Sequence, residues 1–94
     1  IQANYADEVL VVLKSNSNLK ESFASIRKII ADSKVRDFTP FYRFLYDNVD
    51  EYASGKAGNV ILTIAESQYK DSVCVDKEIL VMAMVLEILM TIKG

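Results

Sequence analysis

The sequence predicts an all-α single domain spanning residues 1–94, an antiparallel up-down-up-down four-helix bundle, with five helical segments if the Ser15–Asn18 cluster breaks the first stretch. Three observations carry this. Apolar residues recur at spacings of three and four through most of the chain. Polar capping residues stand where those patterns begin. The only segment with strand character, Asn59-Val60-Ile61-Leu62-Thr63-Ile64, has no second strand to pair with, and an unpaired buried strand leaves its backbone groups unsatisfied.

Each element has its own reason. Asn4 is read as the first N-cap, with Asp7 and Glu8 in the opening turn where the helix dipole favours acids. Tyr5, Val9, Val12 and Leu13 then share a face, and Ser15-Asn16-Ser17-Asn18 stops the helix because these side chains compete for backbone hydrogen bonds. Asn18 opens the second helix, with Glu21 three residues on and Leu19, Phe23, Ile26 and Ile30 as its apolar stripe. Its opposite face holds Lys20, Arg27, Lys28 and Lys34 and is expected to meet solvent.

Thr39-Pro40 reads as cap and first helical residue, starting a helix expected to run to Gly55. Six of the nine aromatics (Phe38, Phe41, Tyr42, Phe44, Tyr46, Tyr52) crowd into this stretch, too many for one buried face. Asn59 to Lys70 is assigned to helix by elimination. Asp76 caps the last helix, whose run from Ile79 to Ile92 is broken only by Glu87 and Thr91. That helix is expected to be the most buried, packed on several sides, with Leu86 among its core residues. Its 14-residue run is shorter than the roughly 20 apolar residues a membrane span needs.

Composition limits the chemistry. The chain has no His, no Trp, one Cys and a net charge of −2, which argues against a hydrolytic triad and against general nucleic-acid binding. Cys74 has no internal disulfide partner and is expected to be a small buried residue before the last helix. Asp47, Asp50 and Glu51 fall on one helical side, but Val49 and Tyr52 occupy the places an EF-hand loop needs, so a solvated acidic face is expected. Gly55-Lys56-Ala57-Gly58 lacks the ending and preceding strand of a phosphate loop and reads as a turn. No catalytic residue, cofactor or metal is expected. Ile1 stands where a Met would open a gene product, which suggests a processed or trimmed chain with any targeting peptide upstream.

Charge supplies the functional signal. Lys20 to Arg43 contains six basic and three acidic residues, whereas Phe44 to Gly94 contains four basic and eight acidic ones. The basic stretch leads into the aromatic cluster, and Arg and aromatics are the residue types enriched at protein interfaces. Arg27, Lys28, Lys34, Arg36 and Arg43 are therefore expected to form a docking surface for a larger protein, with Tyr42 or Tyr46 as an aromatic anchor.

The opening residues Asn4-Tyr5-Ala6-Asp7-Glu8-Val9-Leu10-Val11-Val12 resemble the start of the small lumenal four-helix extrinsic and assembly proteins of photosystem II. Tyr46-Asp47-Asn48-Val49-Asp50-Glu51-Tyr52 is similar to their tyrosine-bearing second helix, and Lys77 to Gly94 to their last one. Two departures stand against this: the family's last helix is charged where Ile79–Ile92 is apolar, and its Pro-rich lead is missing. The resemblance implies a non-enzymatic, cofactor-free protein of the chloroplast thylakoid lumen. It would be peripheral to the membrane and would stabilise or help assemble the oxygen-evolving region. The alternative is a cytoplasmic interaction module, an adaptor or immunity-like bundle, docking through the same basic and aromatic face.

Overall fold

A computed structural model describes residues 5–94, so the expected cap at Asn4 lies outside the described residues. Among those described there are six helices and no strand: α1 (Tyr5–Lys14), α2 (Leu19–Ser33), α3 (Thr39–Asp47), α4 (Val49–Tyr52), α5 (Ala57–Asp71) and α6 (Lys77–Lys93). The fold is all-α. The segment of strand character lies wholly within α5, where neighbouring helices bury Val60 and Ile64.

The caps explain most boundaries. Asn18 Oδ1 accepts from the Glu21 N–H at 2.8 Å and starts α2, and Asp76 Oδ1 accepts from the Ile79 N–H at 3.2 Å and starts α6. Thr39 is the first residue of α3 and not its cap. The Asp37 carboxylate accepts from the Thr39 N–H at 3.1 Å, a hydrogen bond that lowers the Asp37 pKa. The expected single helix from Thr39 to Gly55 is broken at Asn48, whose side-chain amide donates to Phe44 O at 2.9 Å while its N–H donates to the same carbonyl at 3.1 Å. The break lets the Tyr52 hydroxyl donate to Leu45 O at 2.8 Å. Burial raises the Tyr52 pKa.

Neighbour relations follow a ring. α1 packs on α2, α2 on α6, α6 on α5, α5 on α3 and α3 on α1, with α4 against α1, α3 and α5. The simplest sequential bundle would pair α2 with α3; here α2 pairs with the last helix instead. Val9, Ile26, Ile30, Phe38, Phe41, Leu45, Val60, Val81, Ile88 and Leu89 fill the centre. Tyr5, Phe38 and Phe41 form an aromatic group with centroids 5.3–6.4 Å apart where α1 meets the start of α3.

α6 buries Val81, Met84, Val85, Ile88 and Leu89, more residues than any other described helix. It is not enclosed on every side, as its composition suggested: Ile79, Leu86 and Met90 are exposed, and Leu86 is not a core residue. Cationic side chains hold its C-terminal end. Lys56 Nζ donates to Thr91 O at 2.9 Å, and Lys93 Nζ donates to Ser15 O at 2.7 Å and Ser17 O at 2.8 Å. At its other end Lys77 pairs with Asp71 at 2.6 Å, closing the α5–α6 connection in which Val73 and Val75 stand exposed.

Candidate functional site

The seven residues expected to bind a partner do not form one surface. α2 and α3 flank α1 and do not pack closely on each other, which sets Arg27 and Lys28 on a different helix pair from Arg43. Arg27 and Lys28 are exposed on α2, and Lys28 pairs with Asp32 one turn on at 3.4 Å. Such exposed pairs contribute little. Lys34 ends α2 in the left-handed conformation, φ 57°, and with Arg36 borders an open cleft of about 550 Å³ between the end of α2 and the start of α6. The opposite charges of Asp76 and Glu78 share that border, so the cleft has no strong sign.

The other three residues converge. Tyr42, Arg43 and Tyr46 of α3 face Ile61, Ile64, Ala65 and Gln68 of α5 across a groove of about 240 Å³. α3 supplies them because Tyr42 and Tyr46 lie one turn apart, and Arg43 stands three residues before Tyr46 and reaches its ring. The Arg43 guanidinium lies 5.3 Å from the centroid of the Tyr46 ring, and its Nε is 3.0 Å from Asp47 Oδ1. These two contacts hold the side chain along the groove's edge while leaving it exposed. Tyr46 is 45% exposed and available to a partner. Tyr42 is 1% exposed, so it belongs to the groove floor and cannot serve as an anchor. Packing of α3 on α5 draws that ring inward.

The Tyr42 hydroxyl is buried and closes no hydrogen bond of good geometry. Burial raises its pKa first, and the nearby Asp71 carboxylate raises it further. On α5, Leu62, Ala65 and Tyr69 run along the outward side at spacings of three and four, with Leu62 and Tyr69 strongly exposed. Only Ala65 of this stripe lines the groove, and Leu62 and Tyr69 lie beside it on the same helix. Once the segment is helical, the spacing of Leu62, Ala65 and Tyr69 places them together.

The remaining candidates for chemistry are occupied structurally. Asp47 meets Arg43, and Glu51 meets Lys14 of α1 at 3.3 Å. No group of three metal-ligating side chains occurs among the described residues. Cys74 is half-buried, not fully buried as expected, and its Sγ donates to Asp76 O at 3.3 Å. No helix among the described residues is long and apolar enough to cross a membrane. At about 240 Å³ the α3–α5 groove is smaller than the roughly 300–1,000 Å³ typical of small-molecule pockets, and it matches one or two protein side chains. No protein-family model, no curated protein and no solved structure matches the chain.

Proposed function

We propose that this chain is a non-enzymatic docking module that binds a larger protein through the α3–α5 groove. An apolar side chain of the partner packs against Ile61 and Ala65, and an acidic residue beside it meets Arg43. The observation that carries this reading is the convergence of Arg43, Tyr46, Ile61 and Ala65 on a groove sized for side chains. Arg and Tyr are the residue types that most often dominate binding energy at such places. The opening residues' resemblance gives this proposal its specific form: a peripheral protein of the thylakoid lumen that binds the lumenal face of photosystem II and supports the oxygen-evolving region.

The test is binding of the full chain to photosystem II complexes stripped of their extrinsic proteins, with Tyr46→Ala and Arg43→Glu compared against Arg27→Glu/Lys28→Glu. The reading expects the two groove variants to weaken binding at least about tenfold, as hot-spot changes do, and the α2 variant to bind as the parent does. Loss of binding only in the α2 variant would move the interface to that helix. Failure of the parent chain to bind would remove the photosystem form of the proposal.

A further inference from the structure

The cleft between the end of α2 and the start of α6 differs from the α3–α5 groove in size and in charge. At about 550 Å³ it falls within the roughly 300–1,000 Å³ typical of small-molecule pockets. Val35 and Val75 line it together with the buried ring of Phe38. Its charged residues are of two kinds. Asp76 and Lys77 are engaged within the protein, Asp76 as the cap of α6 and Lys77 in its pair with Asp71. Lys34, Arg36 and Glu78 are exposed and close no ion pair among the described residues, although all three border the same cleft.

Opposite charges held apart at one cleft suit a molecule that carries both signs. A purely anionic ligand would meet Glu78, and a purely cationic one Lys34 and Arg36, whereas a zwitterion with an apolar body complements all three. Size narrows the class: the groove of about 240 Å³ matches one or two side chains, so a cleft more than twice as large holds a dipeptide or tripeptide. Backbone geometry supplies a second observation. Lys34 is, among the described residues, the only non-glycine residue with a positive φ, 57°. That position at a helix end favours glycine, and a side chain there is carried at a cost to the fold. Strain of this kind persists at ligand-binding positions, and here it sets a cation at the edge of the cleft. We propose that this cleft binds a short apolar peptide with both termini free, its carboxylate at Lys34 and Arg36, its ammonium at Glu78 and its side chains against Val35, Phe38 and Val75.

The probe is leucyl-leucine, titrated into the full chain and followed by the NMR shifts of backbone amides. A ligand of this size should saturate with a dissociation constant of about 0.1–1 mM and move the amides of Val35, Phe38 and Val75. Acetylating the peptide removes its ammonium and amidating it removes its carboxylate; each should weaken binding at least about tenfold. Glu78→Gln should bind the free and acetylated peptides alike, and Arg36→Gln should narrow the difference between the free and amidated ones. Lys34→Gly supplies the residue that the left-handed position favours. It should therefore keep or raise the melting temperature while weakening leucyl-leucine at least about tenfold. The groove variants Tyr46→Ala and Arg43→Glu should leave this binding unchanged, which separates it from the docking reading. No saturable shift at the cleft up to about 10 mM peptide, equal affinity of the parent chain for the blocked peptides, or parent affinity in Lys34→Gly would overturn the proposal.

Discussion

α2 and α6 are similar in length and pack side by side, yet their sequences relate to their burial in opposite ways. α2 alternates faces: Ser22, Ile26 and Ile30 point inward, and Lys20, Arg27 and Lys28 point to solvent. Its inside can be read directly from its pattern. α6 is apolar nearly all round, and only the fold shows that Val81, Val85, Ile88 and Leu89 are covered while Ile79, Leu86 and Met90 are not. An apolar residue tells where it could be buried; a charged one tells where it is not. Helices lacking the second kind of residue reveal little about their orientation.

The largest effect that tests this difference comes from truncation inside the two helices. Leu89→Ala and Ile26→Ala each empty a site at 0% exposure and should cost about 2–5 kcal/mol in chemical denaturation. Leu86→Ala, on the same helix as Leu89, should cost clearly less, about 1 kcal/mol, since Leu86 is 37% exposed. Equal costs at Leu86 and Leu89 would show that α6 has no outer face.

A smaller effect asks whether surroundings decide the energetics of identical residues elsewhere. Tyr52→Phe removes the donor to Leu45 O and should cost about 1 kcal/mol, while Tyr42→Phe removes a buried hydroxyl that closes no hydrogen bond of good geometry and should cost less. Both tyrosines have raised pKa values, so their neutral forms favour the fold. That contribution is complete below the ordinary value of 10.0 and is lost as pH climbs above it, because the unfolded chain ionises first. Stability should therefore fall above pH 10, and less steeply in Tyr42→Phe; an unchanged alkaline limb in that variant would contradict the burial of its hydroxyl.

The smallest effect belongs to the outer face of α2. Arg27→Glu/Lys28→Glu should shift stability by no more than about 0.5 kcal/mol, because both side chains are exposed and the Lys28–Asp32 pair is weak. A larger loss would mean that this face is less solvated than its pattern indicates.

Legibility followed the same division. Asn18 and Asp76 announced their helices because capping is local chemistry, written within three residues. The Asn48 break is local too, but an Asn within an aromatic-rich stretch does not by itself reveal that its amide will take the Phe44 carbonyl. The pairing of α2 with α6 was not legible, since it joins distant parts of the chain and no residue type encodes it. The candidate groove was half legible. Arg43 and Tyr46 stood out by type, but their opposing wall on α5 came from a segment whose β-branched residues spoke for a strand, and the burial of Tyr42 came from packing alone.

The grip of Lys93 on Ser15 O and Ser17 O has a consequence for the order of events during synthesis. These bonds span 78 and 76 positions, so the turn between the first two helices is fastened only once α6 has been made. α2 likewise covers its inner side with α6. Until that helix emerges, α1 is the only one of the two helices packed on α2 that is present to cover it. Contacts so distant along a chain slow its folding. The α2–α6 contact can therefore close only after α6 has been made, and until then the side of α2 that meets it is uncovered.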